Sequence, residues 1–248
     1  MKNFQPVQKI RFLLCLTVLS GFTAISQKKD YFFSRDSVKI CYDEYFSSKK
    51  APVILLCHRQ GYSRGEYPEI AKKIKGLGYN CIAFDHRNGD TCNGVANETM
   101  RDAKSSKKLT TWARAETDIE DATIFFNNKY QKKLIVLGSG HSSSVILKLA
   151  KKDNSKIKAL ICFSPGEYSE SYSLEQELKG LNTIALIYAS NDEMKAVEQC
   201  TSGLLNRRTF HPLFSTGEYG ASVLWNSSAS SAEFWNDLYA QLGFLKKI

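Results

Sequence analysis

Hydrophobic and polar positions change period along this chain, and the changes mark its elements. Residues 37–45 alternate apolar and polar side chains, the two-residue period of a strand with one solvated face. Residues 52–57 form a continuous apolar run, as in a strand buried on both faces. Residues 66–77 place Tyr67, Ile70, Ile74 and Leu77 on one helical stripe, which Gly78 can close. Residues 80–84 read as the next strand, followed by a polar loop to Asp90. Residues 91–110 have little periodicity and read as a long loop. A helix is expected over 111–127, with Ala115, Ile119, Ala122 and Phe126 facing inward. Beyond it, strands are expected at 133–137, 158–163, 183–188 and 207–211. Helices are expected at 142–151, from Asp192 to about Leu204, and at 231–244.

Strands that alternate with helices imply right-handed crossovers and a mainly parallel sheet with helices on both faces. Ligand chemistry in such sheets gathers beyond the carboxyl ends of the strands. The loops after Cys57, Phe84, Leu137, Phe163, Tyr188 and His211 are therefore where functional residues are sought.

The first 26 residues do not belong to this pattern. Lys2, Lys9 and Arg11 precede a short apolar run at 12–24, with small residues at Ala24 and Ser26. That is the form of a signal peptide cleaved after Ser26, leaving one domain at 27–248 in the periplasm or outside the cell. An uncleaved anchor is the rival, but the apolar run is short for a membrane span. Cys15 lacks the small-residue pair that a lipoprotein anchor would want.

Removing the leader takes three positive charges from a formal net charge of +9, leaving +6. The lysines are scattered over helix ends and loops, with no stripe of interleaved basic and aromatic residues. A nucleic-acid partner is not indicated, and a small-molecule ligand is the expected partner. Export would permit a disulfide, with Cys92 or Cys200 as candidates, whereas Cys57, Cys81 and Cys162 sit in apolar strands as buried thiols. No CxxC or HxxxH spacing points to a metal, and no cofactor is implied. Oligomeric state is not readable.

The candidate chemistry centres on LGSGHSSS, residues 137–144, a small-residue turn between a strand and a helix. With the segments LLCHRQGYSRGEYPEIAKKIKGLGYNCIAFDHRNGD, NGVANET, FSPGEY and GEYGASVLW, it resembles the small α/β hydrolases of the dienelactone-hydrolase-like branch. The resemblance runs from about Pro52 to Phe244. It implies an α/β-hydrolase fold with little or no lid, and a nucleophile, an acid and a His on successive loops.

Two positions depart from that pattern. In the register that begins at Gly138, the tip of the turn is Gly140, and small Ser142 and Ser143 follow where a tight turn needs them. In the register that begins at Gly140, the tip is Ser142, but Val145 crowds the turn. The helix pattern favours Gly140, and Ser142 stays as the fallback nucleophile. At the position of the base stands Tyr219, within Gly217-Glu218-Tyr219-Gly220. A phenol with an ordinary pKa near 10 cannot replace an imidazole near 6.5. Asp192 falls at the acid position, with Glu193 its rival. His58, Arg59 and Gln60, with His141, form the outline of an oxyanion or ligand pocket. His86 and His211 complete the histidines that could substitute as a base. The expected function is that of a non-catalytic, ligand-binding homologue, and the alternative is a serine esterase acting through Ser142 on small esters, thioesters or amides.

Overall fold

The computed structural model describes residue 1 and residues 27–168 and 173–248. The leader expected at 1–26 lies, apart from Met1, outside the described residues.

The described chain begins with two antiparallel strands, β1 (Lys28–Phe33) and β2 (Lys39–Tyr45). β3 (Val53–Cys57) leads into a 3-10 turn at Arg64–Glu66, then α1 (Pro68–Gly76) and β4 (Asn80–Phe84). A small hairpin follows, β5 (Thr91–Cys92) with β6 (Val95–Ala96), then α2 (Glu98–Ser105) and α3 (Trp112–Tyr130). β7 (Leu134–Ser139), α4 (His141–Lys152) and β8 (Ile157–Phe163) come next. The one-turn α5 (Leu174–Glu177), β9 (Ile184–Tyr188), α6 (Asn191–Cys200), β10 (Arg207–Thr209) and α7 (Ser231–Leu245) complete the chain.

The eight-stranded sheet has the order β1-β2-β4-β3-β7-β8-β9-β10, parallel from β4 to β10. Its central strands are buried on both faces, so successive side chains enter different cores. Val53, Leu55 and Cys57 of β3 join α3, α4 and α6 in one core. Ile54 and Leu56 join α1 and α7 in the other. This is the physical content of the unbroken apolar runs.

The structure differs from the sequence expectation in several places. β2, expected to have one solvated face, is buried from Ile40 to Tyr45. β1 was not foreseen; it is an edge strand with Lys29, Tyr31 and Phe33 turned to solvent, too polar outside to stand out by pattern. The supposed loop over 91–110 contains a hairpin and α2. Asn97 starts that helix by accepting from the Met100 backbone N–H at 2.8 Å, and only Thr99 and Ala103 are buried. With so narrow an apolar stripe, its cap is a better guide than its periodicity. Cys41, Cys57, Cys81, Cys92, Cys162 and Cys200 are all buried free thiols, so neither Cys92 nor Cys200 is in a disulfide.

Two buried arginines brace the loops at the carboxyl end of the sheet. Arg87 is fully buried, donating to Asp118 at 2.6 Å and to Asp36 at 2.7 Å. Arg64 meets Asp85 at 2.5 Å, Asp43 at 3.1 Å and Glu98 at 2.6 Å. Removing one member of such a group leaves an uncompensated buried charge, worth about 3–5 kcal/mol. Asp118→Ala is expected to lower unfolding free energy by about that amount in urea titration, whereas exposed Asp153→Ala should leave the urea midpoint nearly unchanged.

Candidate functional site

β7 delivers the chain to the turn through Gly138, where a β-carbon would lie 2.7 Å from Ser143 Cα. α4 thus packs back over the strand end so closely that only hydrogen fits. The turn itself is made by Gly140, with φ 56° and ψ −127°. That backbone favours glycine, and a β-branched residue there would be strained. Gly140 N–H donates to Phe163 O at 2.8 Å, tying the tip to β8.

The serines of this segment hold backbone in place. Ser142 Oγ donates to His58 O at 2.6 Å and is fully buried. Ser143 Oγ lies 2.8 Å from both Gly138 O and Phe163 O. Ser144 Oγ donates to Gly166 O at 2.8 Å. Each joins the start of α4 to a neighbouring loop or strand.

Above Gly140 stands Tyr219. A β-carbon at residue 140 would meet Tyr219 Oη at 2.6 Å and Cε1 at 2.9 Å. The phenol therefore occupies the space that a side chain at the tip would need. Tyr219 Oη is 2.5 Å from Tyr168 Oη, and Tyr168 donates to Ser164 O at 2.9 Å, so the Tyr219 hydroxyl supplies the proton between the phenols. Burial raises the pKa of both phenols, so they remain protonated donors. Tyr168 stacks on His141 at 4.4 Å, and His141 stacks on Trp112 at 3.8 Å. Tyr168 and Trp112 were not singled out in the sequence; Tyr168 lies within FSPGEY, but nothing there told which way it would turn.

Burial holds His58, His86 and His141 in the neutral form. His86 Nε2 lies 3.5 Å from Ser142 Oγ, the nearest approach of a hydroxyl in this turn to an imidazole. Yet His86 Nε2 also lies 2.9 Å from His58 O, and its Nδ1 accepts from the Asn88 N–H. Those partners put the proton on Nε2, so both that nitrogen and Ser142 donate to one carbonyl, and His86 has no lone pair for the serine. Burial lowers the His86 pKa to about 4 and that of His58 well below its usual range. Burial likewise lowers His141 to about 3. His211 is exposed, 3.4 Å from Glu198.

The two candidate acids face different ways. Asp192 is exposed and accepts from the Gly217 N–H at 2.5 Å. Glu193 turns inward, accepting from Ser164 Oγ at 2.8 Å, while Ser164 Oγ accepts from the Gly220 N–H at 2.9 Å. Sequence order could not separate these neighbours; the first turn of α6 does.

In the loop after β3, Gln60 is exposed and the Arg59 carbonyl accepts from the Tyr62 N–H. The Arg59 N–H donates to the carboxylate of Glu66 at 2.9 Å. Glu66 is fully buried and its other oxygen accepts from Ser139 Oγ at 2.6 Å. Ser139 Oγ in turn accepts from the Ala221 N–H at 2.8 Å. One buried carboxyl thus joins the β3 loop, the end of β7 and the Tyr219 loop. Sequence reading missed this role, since Glu66 sat at a helix start where an acidic residue is ordinary.

No protein-family profile matches the chain, and no curated protein matches it. Solved structures do. An esterase of Pyrococcus furiosus superposes with a TM-score of 0.64 at 13% identity, covering 88% of this chain and 90% of that one. An α/β hydrolase from a Penicillium gives 0.63 at 13% identity, covering 90% and 99%. A dienelactone hydrolase of Anabaena variabilis gives 0.60 at 12% identity, covering 86% and 96%.

Two outcomes test this geometry. Gly140→Ala is expected to cost about 1–3 kcal/mol, from the positive φ and the contact with Tyr219. Adding Tyr219→Ala should recover about 1 kcal/mol of that in a double-mutant cycle by urea unfolding, and strict additivity would refute the contact. Second, burial raises the Glu66 carboxyl from 4.5 to about 7. Folding then favours the protonated acid, so its contribution is fully present below pH 4.5 and is lost as pH rises through 7. Melting temperature should fall over that interval in the wild type, by the equivalent of roughly 3 kcal/mol, and Glu66→Gln should flatten the fall.

Taken together, the strand order, the Gly140 turn and these superpositions give the chain the α/β-hydrolase fold.

Proposed function

We propose that this is an exported α/β-hydrolase-fold protein without Ser-His-acid catalysis, acting as a small-ligand-binding homologue of the esterases whose fold it has. The observation that carries the reading is the phenol of Tyr219 lying 2.6 Å from where a side chain at Gly140 would begin. Nucleophilic catalysis needs a hydroxyl or thiol with a base in reach and room for a substrate carbonyl beside them. At the tip there is no such side chain, and an un-ionised tyrosine fills the room. The fold itself carries no activity, because function on a shared fold resides in its site. Export rests on the basic start and short apolar run of the first 26 residues.

The competing reading, an esterase acting through Ser142, draws on the 3.5 Å approach of His86 and on the esterase and dienelactone hydrolase among the similar structures. Against it stand the burial of Ser142, its bond to His58 O and the donor role of His86 Nε2. A fluorophosphonate probe with peptide mapping separates the two. The folded protein is expected to remain unlabelled, at the level of a Ser142→Ala control. Labelling of Ser142 that disappears in the control would establish the esterase instead.

A further inference from the structure

Beside the blocked tip is a second place where chemistry is left unfinished. A cleft of about 310 Å³ has Arg59, Tyr219, Ser222, Val223, Trp225 and Ser228 among its walls. Neither Gly140 nor Tyr168 lines it. Its volume is at the low end of small-molecule sites, which run from about 300 to 1,000 Å³.

The unusual group in this cleft is Arg59. Its guanidinium carbon lies 3.8 Å from the Tyr62 ring centre and 5.5 Å from that of Tyr219. Its nitrogens donate to the Tyr62 hydroxyl and, at 3.3 Å, to Tyr219 O. These acceptors are neutral. Among the described residues no carboxylate comes within 4.0 Å of this guanidinium. Arg35, Arg64 and Arg87 are each matched to two or more carboxylates; Arg207 and Arg208, like Arg59, donate to neutral acceptors but do not line this cleft.

The nearby acids are otherwise engaged. Glu66 accepts from Ser139 Oγ and from the Arg59 backbone N–H. Glu218 lines the cleft, but its two oxygens accept from the hydroxyls of Ser215 and Ser228. A half-buried cation clamped by aromatic faces and lacking a carboxylate is poised for one from outside. The planar guanidinium suits the two oxygens of a carboxylate, and charge-assisted hydrogen bonds of that kind are the stronger sort. Val223 and Trp225 give the same cleft an apolar surface. Trp225 is held there by its Nε1–H bond to Glu66 O at 2.8 Å and lies parallel to Tyr62 at 6.3 Å.

We propose that the Arg59–Trp225 cleft binds a small organic carboxylate, with its charge on the Arg59 guanidinium and its apolar body along Val223 and Trp225. The proposal rests on the ligand-binding reading and supplies its ligand class. Glu218 in the wall favours a monoanion over a phosphate dianion, through repulsion of the second charge. The positive net charge of the chain, +9 with the leader and +6 without it, favours approach of any anion.

The test is titration of the purified protein with benzoate, with benzamide as its uncharged counterpart and inorganic phosphate as the dianion, followed by calorimetry. Benzoate is expected to bind about tenfold or more tightly than benzamide, and more tightly than phosphate. Arg59→Gln should weaken benzoate about tenfold while leaving benzamide unchanged, and Arg59→Lys should retain part of the difference. No benzoate binding by the folded wild type, equal binding of benzoate and benzamide, or tighter binding of phosphate would overturn the proposal. The first two comparisons need no variant, so a poorly folding Arg59→Gln does not shield it. Fluorophosphonate labelling is a separate readout: it bears on the non-catalytic reading, whereas these titrations bear on the Arg59 cleft.

Discussion

The close approach of α4 to the end of β7 is the constraint on which the site depends. It leaves no room for a side chain at Gly138 and turns the chain through a left-handed residue at Gly140. Once that turn is made, Ser142, Ser143 and Ser144 are committed to backbone carbonyls of the β3, β7 and β8 connections. The hydroxyls that look reactive in the sequence are therefore spent on architecture. The same packing exposes the tip to the Tyr219 loop, and the absence of a β-carbon is what lets a phenol descend onto it.

The surrounding polar network ties the loops at the carboxyl end of the sheet to one another. Glu66, Ser139 and the Ala221 N–H make one chain of contacts; Glu193, Ser164 and the Gly220 N–H make another. Both end on the loop that carries Tyr219, fixing it from two sides. The paired imidazoles of His58 and His86, stacked at 3.7 Å, are both held neutral by burial. A buried polar network of this kind is stable only when its members are satisfied, and here neutral partners and backbone groups satisfy them. Arg59 stands at the edge of the network, half-buried, with neutral acceptors for its guanidinium among the described residues.

Much of this architecture was legible before any coordinates. The continuous apolar run at 52–57 and the strand-like segments at 80–84 and 158–163, alternating with helical stripes, pointed to a mainly parallel sheet. The reading of Gly140 as the tip rested on the size of the residues after it, which constrains the turn. β1 and α2 were not legible, since a solvated edge strand and a helix with two buried residues leave almost no periodic trace.

What the chain by itself determined is the layered sheet and the residue types at its carboxyl end, because burial on two faces and tight turns act through local spacing. What only the tertiary structure decided is how those residues meet. The contact of Tyr219 with Gly140 spans 79 positions, Glu66 with Ser139 73, and Glu193 with Ser164 29. Contacts across such separations depend on where crossovers bring loops together and on which way each side chain turns. No local pattern carries that information, so the difference between Asp192 and Glu193, the tautomer of His86 and the neutral acceptors of Arg59 emerged only when the loops were assembled in space.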